Sequence, residues 1–445
     1  MSVRAVAAVS CIAASLAGAG CGEEYRRETA PDLDDIARDY VVLELAMGLH
    51  DGNHVDAYYG PEGLREAARD ADLTLQEIAD EAVELADRVA NWPSNRNNRL
   101  ELARIDGLSH RLRALSTRVA INQGQTFSFD EESRRLFGVT APDYDADRFE
   151  QILERIDALL PGSGSLSSRV NAFQDQFVIP PDKLSAVFNV AIAECRRRTL
   201  ENIALPEEES FSLEYVTGKP WSGYNWYQGQ SQSLIQVNTD LPIFISRAVD
   251  LGCHEGYPGH HTFNVLLEQN LVEREGWIEF ALYPLFSPES VIAEGSGNYG
   301  IELAFPGNER VQFEKQALFP LAGLHPDDAD RYYALQELLE LLSYAGNEAA
   351  RDYLNGDIDR EQAVQWLVDY TLASPERARQ RVDFFDTYRS YVINYNLGKD
   401  LVRNYIEREA EPAAARASAP ATQDRRWKRF EGMLSSPILP SNLVE

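Results

Sequence analysis

The chain has 445 residues, 44% of them hydrophobic and 10% aromatic, an ordinary balance for a globular enzyme and enough to bury a large core. Its 71 acidic against 42 basic residues give a formal net charge of −29. That field repels nucleic acid and anionic lipid headgroups, so nucleic-acid binding is excluded as a function, and it favours cationic peptides only weakly once salt screens it.

The N-terminus reads as an export leader: Arg4 supplies a short positive region, an apolar, alanine-rich run extends from Ala5 to Ala19, and Gly-Cys-Gly-Glu-Glu follows. The run is too short to cross a membrane permanently. Cys21 occupies the place of the lipidated cysteine of a bacterial lipoprotein, although Gly18 is a poor substitute for the usual Leu or Val three residues earlier. Residues 1–21 are therefore expected to be a signal peptide with a lipobox. The protein is expected to be exported, periplasmic or on the cell surface, and lipid-anchored through Cys21 rather than spanning. Without the leader, Cys195 and Cys253 are too few for a disulfide framework, and Cys253 reads as a small buried residue.

Residues 22–408 form the main domain, and most of it has helical period. Helices are expected at Leu33 to Leu49, after a Thr74/Glu77 capping box with Leu75, Ile78, Ala82, Leu85, Ala86 and Val89, and along Leu102, Ile105, Leu108, Leu112, Leu115 and Val119. Others are expected at Arg148 to Leu160, Asp182 to Ile203, Ala329 to Leu354 and Arg360 to Leu372. One insert, about 207–238, breaks the period: Ser210 to Val216 alternates, and Tyr224, Trp226 and Ser233 to Asn238 follow Gly218, Pro220 and Gly223, which predicts a small antiparallel sheet. Such a sheet either pairs with a peptide backbone or only braces the next helix.

That next helix carries HEGYPGHH, His254 to His261, three of the seven histidines beside a glutamate. It resembles the HExxH helix of zinc peptidases with two residues added. In an ideal helix His254 and His260 would lie about 9 Å apart along the axis and on different faces. Pro258 removes the amide that would bond the His254 carbonyl, so the helix must bulge or break, and Gly259 lets the chain return His260 towards His254. His260 is the preferred second histidine ligand, with His261 as its rival or a pocket residue. A third ligand is needed for a zinc that keeps one position open. Glu294 in SPESVIAEGSGNYGIEL is the best candidate, about one and a half turns into a helix starting at Ser287 to Glu289. In TYRSYVINYNLGKD, Tyr388, Arg389, Tyr391 and Tyr395 are candidate donors to a developing oxyanion. His50 and His54 are candidates to line the same cleft. Residues 409–425, rich in alanine, proline and charge, predict a flexible connector, and 426–445, with Trp427, Phe430, Met433 and Leu439, a segment that docks back.

HEGYPGHH with EGSGNY and the closing TYRSYVINYNLGKD is similar to the HExxPGH and EGWxxY motifs of the bacterial family called domain of unknown function 885, which groups with zinc-dependent peptidases. The resemblance implies His254, His260 and Glu294 as zinc ligands, Glu255 as base and Tyr299 as a neighbour of the site. Ser296 departs from the family's tryptophan, and its closing glutamate is displaced to Glu302.

The combined expectation is a mainly α, multi-helix zinc-peptidase-like domain with a deep cleft and a small sheet beside the metal helix. Its activity would be hydrolysis of peptide bonds in short peptides, carboxypeptidase- or dipeptidase-like, with Glu255 as general base. The alternatives are a catalytically inactive surface lipoprotein that binds peptides or a partner, and a metallohydrolase of a non-peptide amide or ester. The intact Glu255 argues against the first, since a binding module has no need of a base beside two ligands.

Overall fold

Apolar residues recurring every three to four positions build helices along most of this chain, and a computed structural model describes residues 32–95, 97–410 and 419–444 of it. The leader and Cys21 lie outside the described residues. From Leu33 onward the chain forms one unit, and no helix among the described residues is long and apolar enough to cross a membrane.

The first layer comprises α1 (Leu33–His50), α2 (Glu62–Ala71), α3 (Leu75–Ala90) and α4 (Arg99–Asn122), with the short strand β1 (Val55–Tyr58) after α1. The capping box starts α3: the Thr74 hydroxyl accepts from the Glu77 amide and the Glu77 carboxylate accepts from the Thr74 amide at 2.9 Å, together about 1 kcal/mol. Ile78, Ala82, Leu85 and Val89 of α3 are buried against Ile36, Tyr40 and Met47 of α1 and Leu108, Leu112 and Leu115 of α4. Each large aliphatic side chain so buried contributes roughly 1.5–3 kcal/mol.

Helices α5 (Phe129–Phe137), α6 (Ala146–Leu159), α7 (Leu166–Gln174) and α8 (Leu184–Leu200) lead to the strands β2 (Ser210–Val216), β3 (Gly223–Gly229) and β4 (Gln232–Asn238). The expected antiparallel pairing holds for the β3–β4 hairpin, and β2 adds to the far side of β4 in parallel, giving the order β2-β4-β3. β3 is thus an edge strand.

Next come α9 (Ser246–Leu251), α10 (His260–Leu267), the strand β5 (Leu282–Pro284), which pairs with β1, and α11 (Glu289–Ala304). The remaining helices are α12 (Glu309–Phe313), α13 (Phe319–Ala322), α14 (Ala329–Leu341), α15 (Ser343–Asn355), α16 (Arg360–Tyr370), α17 (Pro375–Tyr388), α18 (Ile393–Ala410), α19 (Ala419–Leu434) and α20 (Pro440–Val444). The single helix expected from Ala329 to Leu354 is two, because the Leu342 and Ala345 amides bond carbonyls three residues back and tighten the turn between them. α11 and α18 cross at glycine: a Cβ on Gly295 would lie 2.4 Å from the Gly398 carbonyl oxygen.

Two expectations are corrected. Cys195 and Cys253 form a disulfide with Cα atoms 5.5 Å apart, tying α8 to the segment after α9. A single bridge between packed helices needs no framework of cysteines. The connector expected over 409–425 is helical at least from Ala419, because α19 is held at several points along its length. Gln423 donates to the Leu303 carbonyl at 2.8 Å, Arg426 pairs with Glu407 at 2.7 Å, and Trp427, Phe430 and Met433 are buried in the main core. Residues 411–418 lie outside the described residues.

Candidate metal centre

α9 runs on into a widened π-helical turn, Gly252–Gly256, that carries His254 and Glu255. The Tyr257 amide bonds the Gly252 carbonyl five residues back, and the Gly259 amide bonds the Cys253 carbonyl six residues back at 3.0 Å. An ordinary helical bond reaches back four, so this loop absorbs the two residues between His254 and His260 before α10 begins. Only glycine fits at 259, since a Cβ there would lie 1.8 Å from the His254 carbonyl oxygen.

The result is a pair of imidazoles with ring centroids 4.6 Å apart and nearly perpendicular planes. Glu294, from the first half of α11, reaches both with one oxygen: Oε2 is 3.0 Å from His254 Nε2 and 3.7 Å from His260 Nε2. Donors around a tetrahedral zinc stand about 3.3 Å from one another, and these separations bracket that value. Although it is at ion-pair distance from His254, Glu294 Oε2 lacks the angle of a hydrogen bond and is a buried acceptor without a partner. Two imidazole nitrogens and a carboxylate oxygen that has no hydrogen bond, drawn together at these distances, fit a zinc ion. Glu255 also lies close, with an oxygen and one nitrogen from each of His254 and His260 all within 4.8 Å of one another. Gly223 of β3 covers it, since a Cβ there would meet Glu255 Oε1 at 2.8 Å.

The surrounding hydrogen bonds aim these groups. Asn298, one turn after Glu294, donates through Nδ2 to the Tyr395 carbonyl at 3.0 Å, so its Oδ1 accepts from His254 Nδ1 at 3.0 Å. That contact commits Nδ1 as a donor and turns Nε2 towards Glu294. The Tyr391 hydroxyl donates to Glu294 Oε1 at 2.7 Å, and Asn225 holds the Glu255 carbonyl at 2.6 Å. Gly297 leaves room for the His254 ring, 2.9 Å from where its Cβ would be.

Electrostatics divides the cluster. Burial pushes His254 down, but the Glu294 and Glu255 carboxylates outweigh it and hold it up at about 9. Burial and the neighbouring His254 push His260 down to about 4, which keeps its lone pair free. Burial raises Glu255 to about 7 against the opposing charge of His254. Glu294 lies below its ordinary value, because burial, which raises it, is outweighed by the two histidines and Tyr391. The set attracts positive charge.

All of this forms one wall of a cavity of about 960 Å³. Its other walls come from the start of β3 and the residues leading into it (Pro220 to Asn225), α9, α14 and α17, with Asp56, Tyr283, Tyr388, Tyr391 and Tyr395 facing it. Asp56, hydrogen-bonded by Tyr224, is pushed up by burial to about 7.

The structure thus brings His254, His260, Glu294, Glu255, Tyr388, Tyr391 and Tyr395 to one place. It sets apart His261, which is fully buried on the opposite side with Nε2 3.0 Å from Glu209 and Nδ1 2.8 Å from Ser233. Neighbours at a helix start diverge by about 100°, so turning His260 to the cavity turns His261 to the sheet. Tyr299 is not a neighbour of the site: five residues past Glu294 it faces away, donating to Glu407 at 2.8 Å and packing on Phe430. Arg389 is drawn off by Glu132 at 2.7 Å, where α17 ends and the chain turns through a positive φ of 55°. Neither His50 nor His54 lines the cavity, the one meeting the Leu73 carbonyl at 2.7 Å and the other Glu44. Asn298, Asn225 and Asp56 were not singled out from sequence. Asn298 alone left a signal, four residues after Glu294 and so on its helix face.

No family model and no curated protein matches the chain. Among solved structures, a protein from Colwellia psychrerythraea described as a lipoprotein is similar with a TM-score of 0.52 at 14% identity, over 93% of this chain and 74% of that one. An M32 carboxypeptidase from Deinococcus radiodurans R1 is similar with a TM-score of 0.45 at 12% identity, over 93% and 94% of the two chains. The first of these shares the helical fold.

Proposed function

We propose that this chain is a zinc-dependent metallopeptidase of short peptides, exported and anchored through Cys21. The observation that carries this reading is the convergence of His254 Nε2, His260 Nε2 and Glu294 Oε2, which has no hydrogen bond, on the wall of a large cavity, with Glu255 beside them. His254, His260 and Glu294 would hold the metal, and zinc bound there would supply a Lewis acid for a carbonyl oxygen and for a water. Glu255, beside the two histidines, takes the proton of that water and delivers it to the departing amine nitrogen. Tyr391 is committed to Glu294 and keeps that carboxylate in place, whereas the hydroxyls of Tyr388 and Tyr395 have no hydrogen-bond partner among the described residues and are the donors available to the carbonyl oxygen. Edge strand β3 lies against Glu255 and offers its backbone to an extended peptide. The Cys195–Cys253 disulfide suits an oxidising compartment and so supports export.

Elemental analysis of the purified mature protein and mass-spectrometric digestion of a short-peptide library test the reading together. About one zinc per chain with cleavage is expected, and Glu255→Gln should keep the zinc and lose about 10²–10⁴ in rate. Wild-type protein that holds no zinc, or a Glu255→Gln variant that cleaves as well as wild type, would sink it.

A further inference from the structure

The cavity wall carries five arginine and lysine side chains, and four of them are engaged. Arg247 lies 3.3 Å from Asp250, Arg310 lies 2.8 Å from both Asp250 and Glu314, Lys399 lies 2.7 Å from Glu302, and Arg377 donates to the Pro242 carbonyl at 2.6 Å. Arg381 of α17 is different: among the described residues it has neither a carboxylate nor a carbonyl partner. What surrounds it is aromatic, with its guanidinium carbon 5.0 Å from the Phe384 ring centroid, 5.7 Å from Phe385 and 5.9 Å from Tyr395. Rings against a guanidinium leave its in-plane N–H groups free, and that edge is a fork matched to a single carboxylate.

An arginine held among rings, with the Glu294 carboxylate in its field but no anion paired to it, keeps a pKa lowered by burial, and a carboxylate arriving with a ligand removes the deficit. In a chain with 71 acidic residues, leaving one cavity cation unpaired is a specific arrangement. Its location is specific too. Tyr395 touches Arg381 on one side and Tyr391 on the other, with ring centroids 5.9 Å apart, and Tyr391 donates to Glu294. Two side chains therefore separate the free guanidinium from the histidine–glutamate cluster.

We infer that Arg381 receives the free α-carboxylate of a peptide's last residue, so that the substrates are peptides read from their carboxy end. This rests on the metallopeptidase reading and names the substrate class of that site. A peptide seated by its terminal carboxylate on Arg381 has only the bonds near that end within reach of Glu255, whereas a peptide capped as an amide offers no anion to the fork.

The test is calorimetric binding of trialanine and of its carboxamide to zinc-supplemented Glu255→Gln protein, so that neither ligand is consumed. The free acid should bind at least tenfold tighter than the amide, and Arg381→Gln in the same background should erase that gap. Because Arg381 pairs with no carboxylate, its replacement strands no buried charge, and Arg381→Lys serves as a second variant that retains part of the preference. Equal binding of acid and amide, an undiminished gap in Arg381→Gln, or no binding of either peptide would overturn the assignment. So would Ala-Ala-Asp carboxamide binding as tightly as trialanine, since the fork would then read any carboxylate. Turnover of trialanine by wild type is followed separately: acid-selective binding without cleavage would remove the peptidase reading and leave the Arg381 subsite standing, and cleavage without acid selectivity would do the reverse.

Discussion

His260 and His261 are neighbours in sequence, and the two sides of the helix start they occupy differ in one property. On the His261 side, both ring nitrogens are bonded, and Glu209 is met by Arg196, Tyr257 and His261 together. On the His260 side, the ring has no hydrogen bond among the described residues, and the carboxylate oxygen facing it has none either. A buried polar cluster that satisfies itself braces a fold, while one that leaves inward-facing donors unmet is arranged for something that enters. Histidine content alone does not distinguish the two.

Replacement of each histidine is the most direct way to break this comparison. His260→Ala should abolish zinc binding and turnover with little loss of stability. His261→Ala should retain zinc at about one per chain and lose about 2 kcal/mol of stability, because the buried Glu209 carboxylate loses one of its hydrogen-bond partners. Zinc content and thermal unfolding of the two variants check this, and an exchange of the two phenotypes would refute it. Gly259→Ala has the larger effect on stability. Its new methyl would collide with the His254 carbonyl oxygen, so the return of the chain is lost, and destabilisation above about 4 kcal/mol is expected by denaturant unfolding. Smaller again are Asn298→Ala and Tyr391→Phe, which remove hydrogen bonds that aim His254 and Glu294. Each should weaken zinc binding about 10–100-fold in a chelator competition and leave unfolding in the absence of zinc nearly unchanged.

How much of this was legible depends on how local each cause is. Pro258 and Gly259 act within one turn, so the interruption of the helix and the return of His260 followed from their chemistry. The helix bearing Glu294, the α3 capping box and the strand at Ser210 to Val216 were likewise local patterns. Alternation identified β2 as a strand but not its partner, because the parallel neighbour β4 lies beyond an intervening hairpin strand. The Cys195–Cys253 bridge spans 58 residues and depends on α8 packing beside the π-helical turn. Tyr388, Tyr391 and Tyr395 stand three and four residues apart, the spacing of one helix face. They do meet, but across the break at Arg389, and only tertiary packing singles out Tyr391 as the partner of Glu294. The glycines were the signal with most left to read. Gly223, Gly259, Gly295 and Gly297 each lie where a Cβ would strike a backbone or a site side chain, so their density around the motifs marks close approach rather than looseness.

The smallest effect sharpens the comparison furthest, because it counts protons rather than side chains. Without zinc, His254 is held up at about 9 and so carries a proton at pH 6, His260 at about 4 does not, and Glu294 lies below its ordinary value and is ionised. Zinc loading must displace the His254 proton. Glu255, raised to about 7, is also mostly protonated at pH 6, and a divalent charge beside it expels that proton although the residue binds nothing. At pH 6, below the range near 7 where water on zinc ionises, wild type should therefore release about two protons per zinc and Glu255→Gln about one. The count comes from the dependence of the calorimetric enthalpy on buffer ionisation. Identical counts for the two proteins would mean that Glu255 does not stand in the field of the cation, and the division of labour between the two carboxylates would fall with it. His261→Ala, on the saturated side of the same turn, should leave the count at two.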